Sequence, residues 1–161
     1  MSNIAERSDS IASKIQWLHT LSTFYSKDIK ALPDDKLTVS PGGCARSPQS
    51  ITAEVIGLCH FGTAILQGHE PTGQGEAGPD LANLETGDQL AAAVTEATNA
   101  MADAMANATP EIWGKTVTPP WQMPDTVHNL VNMIVNHIWY HDGQINTYQC
   151  LLGDEKMHWM D

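Results

Sequence analysis

Apolar residues return at steps of three and four in four stretches of this chain, with Pro- and Gly-rich segments between them. In the first, Ile11, Ile15, Leu18, Tyr25, Ile29 and Leu32 keep the step, Ser22 fills the one gap, and Pro33 ends the run. The second opens at Ser47-Pro48, a helix cap followed by a first-turn proline, and carries Ile51, Val55, Leu58 and Ile65. A third repeats the spacing in Leu90, Val94, Ala97, Met101, Ala104 and Ala108 and stops before Pro110. The fourth starts near Pro124-Asp125 and runs through Leu130, Ile134, His137, His141, Gln144, Tyr148 and Leu151 to Gly153. These spacings predict helices near residues 8–32, 47–67, 86–108 and 124–151. Each keeps one face apolar over several turns, as helices sharing a core do. No stretch alternates apolar and polar positions with β-branched residues, so no sheet is expected. The expected architecture is an all-α four-helix bundle, a single domain over residues 1–161.

Two connections are long. Gly68 to Thr86, "GHEPTGQGEAGPDLANLET", exceeds a tight helix–helix turn and would let helices two and three run parallel through a crossover along the bundle. Thr109 to Met123, with "TPPWQMP", would cap the other end. These two segments, 68–86 and 109–123, are also where the side chains of a pocket mouth are expected.

Composition narrows the function classes. The chain of 161 residues is long enough to bury a core, and 42% hydrophobic with 17% charged residues is a globular balance. Eight Lys and Arg against 19 Asp and Glu give a formal charge of −11, which argues against binding nucleic-acid phosphates or an anionic membrane. The first residues lack a basic segment followed by an apolar run, and no apolar stretch approaches the roughly 18 residues that span a bilayer. Cys44, Cys59 and Cys150 have no CxxC spacing and fit free thiols of a reducing cytoplasm.

The chemistry gathers in "HIWYHDGQINTYQCLLGD", residues 137–154. At about 100° per residue, His137 and His141 lie about 40° apart on the inward face of the fourth helix. Buried imidazoles destabilise a core unless both ring nitrogens find partners, and one cation can serve both rings at this spacing. A pair of histidines bonded across the bundle is the alternative. His60 is the expected third ligand: it shares a seam of small residues with Ala53, Gly57 and Ala64 on the second helix. His19, His69, His128 and His158 read as surface residues. Gln144, one turn beyond His141, reads either as a donor to an oxygen ligand of the ion or brace for its ligands, or as a polar residue in the end layer. Asp142 is expected to face solvent or a neighbouring subunit, and no carboxylate is clearly aimed inward.

The same stretch resembles the last-helix signature of the DinB-like metalloprotein superfamily, HxxxHxGQ followed by a leucine-rich turn ending in Gly-Asp. "LPDDKLTVSPGG" is similar to that family's linker after helix one, and His60 occupies the place of its helix-two histidine. The resemblance covers nearly the whole chain. It implies an up-down-down-up bundle, a divalent metal (commonly nickel or zinc) on His60, His137 and His141 with water completing the shell, and a homodimer. It also implies chemistry on low-molecular-weight thiols such as bacillithiol or mycothiol. Five tryptophans and seven methionines, ample for one bundle interior, agree with a dimer. An ion with an open position would lower the pKa of a thiol or water, for thiol transfer or hydrolysis. The reading of a different class is a non-catalytic or stress-response bundle in which the ion only ties helices together; a fourth protein ligand would favour it.

Overall fold

In the computed structural model, which describes residues 4–70 and 79–160, the apolar runs are long helices joined by short elements. The order is α1 (Ile4–Ala31), a 3₁₀ turn (Asp34–Lys36), α2 (Pro48–Leu66), α3 (Gly87–Asn107), a short α4 (Pro110–Gly114), β1 (Thr116–Val117), β2 (Asp125–Thr126), α5 (Val127–Leu151) and a closing 3₁₀ turn (His158–Met160). The long helices match the four expected ranges. The antiparallel hairpin of β1 and β2 corrects the expectation of no sheet. With two residues per strand, it is too short to leave an alternating pattern in the sequence.

Side-chain contacts fix the course of the chain. Ser22 Oγ meets Thr98 Oγ1 at 2.8 Å and Lys30 Nζ meets Asp88 at 3.0 Å, so α1 and α3 are antiparallel. Trp17 packs on Trp139, and Gln149 Nε2 donates to the Asp28 carbonyl at 2.8 Å, so α1 and α5 are parallel. Gln49 Nε2 donates to the carbonyls of Leu81 and Leu84 at 2.8 and 3.1 Å, which brings the segment before α3 back to the start of α2. Thr63 and Leu66 at the far end of α2 line one groove with Ala104 and Asn107, so α2 and α3 run parallel. Glu54 meets His137 while Gly62 lies against Ile134, which makes α2 and α5 antiparallel. The course is up-down-down-up. Residues 71–78 of the expected crossover lie outside the described residues.

The four long helices contribute to one core that includes Leu18, Tyr25, Ile29, Val55, Ile65, Leu90, Val94, Met101, Leu130 and Ile134. Leu151, expected on the inward stripe, is 67% exposed, because the apolar face of α5 ends one turn earlier at Tyr148. Caps set the helix limits. Ser47 accepts from the Ser50 amide ahead of Pro48, and Thr86 forms a capping box with Gln89. At the end of α5, Gly153 has φ +88°, its amide reaches the Cys150 carbonyl at 3.1 Å and the Asp154 amide the Gln149 carbonyl at 3.0 Å. This left-handed closure is why the leucine-rich turn runs into Gly-Asp. Among the described residues, no helix is long and apolar enough to cross a membrane.

Candidate metal centre

Three ligand atoms converge between α2 and α5. His137 Nε2 is 2.7 Å from His141 Nε2 and 3.0 Å from Glu54 Oε1, and His141 Nε2 is 3.5 Å from Glu54 Oε1. Ligands about 2.1 Å from one ion stand roughly 3–3.5 Å apart, so this spacing is close to that of a shared cation. Among the described residues, Glu54, His137 and His141 form such a group. The antiparallel crossing of α2 and α5 supplies the geometry: one carboxylate from α2 faces two rings one turn apart on α5, set edge to face with centroids 4.3 Å apart.

The hydrogen bonds favour a cation at the centre. Gln144 Nε2 donates to the Tyr140 hydroxyl at 3.1 Å, so its carbonyl oxygen is the atom 2.7 Å from His141 Nδ1. His141 Nδ1 therefore carries the proton, and its Nε2 presents a lone pair inward. His137 Nε2 has at most one hydrogen for two acceptors, Glu54 Oε1 and His141 Nε2. One acceptor is left short, and a divalent ion would satisfy all three groups together.

Electrostatics points the same way. Burial pushes His141 below the ordinary imidazole value, aided by the charge of His137 and opposed by the bond to Gln144, so the ring stays in its neutral, ligating form. Burial alone would raise the Glu54 carboxyl; hydrogen bonds from Arg46 and His137 and the charges of His141 and Arg46 outweigh it and hold it down to about 2. Glu54 is thus ionised and supplies one negative charge to the site.

His137 and His141 stand together as expected; His60 does not join them. It is exposed, whereas Glu54, six residues earlier and so about 120° around α2, faces the two rings. The seam of Ala53, Gly57 and Ala64 therefore lies off the face that carries Glu54. Glu54 was missed, yet the sequence carries a signal for it. It lies three residues after Ile51 and four before Leu58, a charge placed within an apolar stripe. Gln144 lies beside His141, its Oε1 2.7 Å from Nδ1 of that ring. Of the remaining histidines, His19 and His69 are exposed as expected. His128 is half-buried with its ring 5.9 Å from Trp113, and His158 is half-buried with Nε2 2.8 Å from Asp154.

Asp142 corrects a further expectation. It is 3% exposed and faces the fully buried Asp28 of α1. Burial and then the Asp28 charge push its carboxyl well above the usual carboxylate range. Its neighbourhood is the buried α1–α5 interface rather than solvent.

Beside the centre lies a cavity of about 280 Å³, walled by residues 41–48, Ile51 and the last turns of α5. Arg46 and Gln144, which touch Glu54 and His141, both line it. Among the described residues, the expected mouth segments 68–86 and 109–123 contribute none of its lining. The latter instead closes the opposite end of the bundle, where Ile112 of α4 meets Gly68 after α2.

The sequence model of the DinB family matches residues 9–161. Solved structures of the mycothiol-dependent maleylpyruvate isomerase and of its histidine-to-alanine mutant share the fold, with TM-scores of 0.62 and 0.61 at 14% and 13% identity. Each alignment covers 84% of this chain and 60% of the other, so this chain spans about three-fifths of those enzymes' length. At such identity the likeness speaks for the fold alone. No curated protein matches the sequence.

Proposed function

Because the chain belongs to the DinB family, we propose that it is a metal-dependent enzyme whose divalent ion is held by Glu54, His137 and His141. The observation that carries this reading is the convergence of three ligand atoms beside a cavity. Glu54 takes the place expected of His60. Two histidines and a glutamate are a set that zinc adopts in hydrolases, which fits the expectation of nickel or zinc as the ion. When bound, the ion would supply a Lewis-acid centre that lowers the pKa of a thiol or water. The chain's own groups orient the site: Gln144 fixes the His141 tautomer, Arg46 braces Glu54, and Tyr140 stacks on His137 with ring centroids 5.6 Å apart.

Thiol S-transfer is placed ahead of hydrolysis, on the family resemblance and on the mycothiol named in the structural neighbours. A purely structural ion would favour a fourth protein ligand, and the group found among the described residues has three. The reading includes a cytoplasmic location, with Cys44 and Cys150 as exposed free thiols. It also includes a homodimer, formed along the α1–α5 seam where Trp17 and Trp139, each 41% exposed, pack 5.9 Å apart. The test of function is a thiol-transferase panel with bacillithiol, mycothiol and glutathione, run on metal-loaded and chelator-treated protein. Metal-dependent turnover with one thiol is expected; activity unchanged by chelation would overturn the reading.

A further inference from the structure

The cavity beside the metal centre has one wall group with donors to spare. Tyr148 gives its hydroxyl to the carbonyls of Val39 and Lys36 at 2.9 and 3.3 Å, and Thr147 gives its own to the Gly143 carbonyl at 2.8 Å. Gln144 is engaged at both ends, by His141 and Tyr140. Arg46 is different. A guanidinium carries five N–H groups, and among the described residues its hydrogen-bond partner is the single carboxylate of Glu54. The other lining groups are apolar or weakly polar, including Pro48, Ile51, Leu151 and Cys44, and none is acidic.

Charge makes this unusual. In a chain with a formal charge of −11, this cavity wall holds, among the described residues, one cation and no carboxylate. A divalent ion on two neutral imidazoles and one carboxylate would leave about one further positive charge beside it. The loop that presents Arg46 is held in place: Ser40 Oγ donates to the Ala45 carbonyl at 2.6 Å and accepts from the Gly42 amide at 3.2 Å. The volume, about 280 Å³, is near the lower end of the ~300–1,000 Å³ typical of small-molecule sites.

We infer that the cavity takes a small, mostly apolar molecule bearing a carboxylate, which Arg46 holds through its free N–H groups while the rest of the molecule lies between the 41–48 loop and α5. Arg46 is then a specificity-determining residue, since a planar carboxylate matches its donor fork. This inference rests on the metal-dependent reading only in taking the cavity as that enzyme's substrate site; the Arg46 contact itself needs no ion.

The test uses a Cys150→Ser background, in which Cys44 is the one exposed thiol. Cys59 is buried, and burial pushes its thiol up to about 12. The probes are phenylacetate and its uncharged counterpart phenylacetamide. Affinity is read by calorimetry and by protection of Cys44 against iodoacetamide, after zinc loading and again on metal-free protein, with metal content recorded. The acid should bind about tenfold or more tightly than the amide, as a charge-assisted bond would give. Arg46→Gln should abolish that preference, and Arg46→Lys should keep part of it. Equal binding of acid and amide by the parent, or a preference that survives Arg46→Gln, overturns the inference. A chain that takes up no zinc defeats the metal reading instead, and the acid–amide comparison on metal-free protein then decides the role of Arg46 alone.

Discussion

Asp142 shows how one side chain can depart from a helical wheel. It follows His141 by one residue, so an inward His141 leaves it about 100° away, where solvent or a neighbouring subunit is expected. That direction instead meets α1, which packs along α5 and presents Asp28 there. The sequence gives no sign of which helix flanks which, so the pair was not legible. Its consequence is measurable. The folded carboxyl holds its proton above the pH at which an unfolded aspartate, pKa about 3.9, releases it. The contribution of this carboxyl to stability is therefore most favourable below about pH 4 and declines as pH rises toward the raised folded value. Asp142→Asn should stabilise the fold at pH 7 by on the order of 1–2 kcal/mol and flatten this slope. Thermal melts of parent and variant between pH 5 and 8 check it, and a less stable variant with an unchanged slope would contradict it.

At the scale of elements, the long helices were legible because each repeats its apolar spacing over many turns and ends at a proline, a glycine or a cap. The hairpin, α4 and the ligand face of α2 were not. The first two are too short to show a period, and on α2 the histidine on a small-residue seam drew the assignment while the glutamate in the apolar stripe went unweighed. Close approach of helices leaves a clearer mark. A Cβ at Gly87 would sit 2.8 Å from the Ile29 carbonyl oxygen and 2.9 Å from Lys30 Cα, both backbone atoms of α1. Gly87→Ala should therefore force α3 away from α1 and cost about 1–3 kcal/mol, read as a lowered denaturant midpoint. An unchanged midpoint would show that the two helices have room to part. At the end of α5, Gly153→Ala should cost about 1 kcal/mol, since φ +88° disfavours any side chain. A melt within error of the parent would count against the closure described for that turn.

For the whole molecule, the arrangement of helices is what makes the centre. α2 and α5 are antiparallel neighbours, so the first half of α2 lies against the middle of α5 and Glu54 meets two histidines more than eighty residues later in the sequence. A dimer along the α1–α5 seam would leave that centre intact while covering Trp17 and Trp139. Light scattering should give about twice the chain mass of 17.5 kDa for the parent and the single mass for Trp17→Glu, and a monomeric parent would end that proposal. The most direct test of the account is zinc bound per chain after identical dialysis, measured by elemental analysis for the parent and for Glu54→Gln, His137→Ala, His141→Ala and His60→Ala. One ion per chain is expected in the parent and in His60→Ala, with sharp loss in the other three, since each lacks a ligand. Full metal in Glu54→Gln together with loss in His60→Ala would contradict the centre described here.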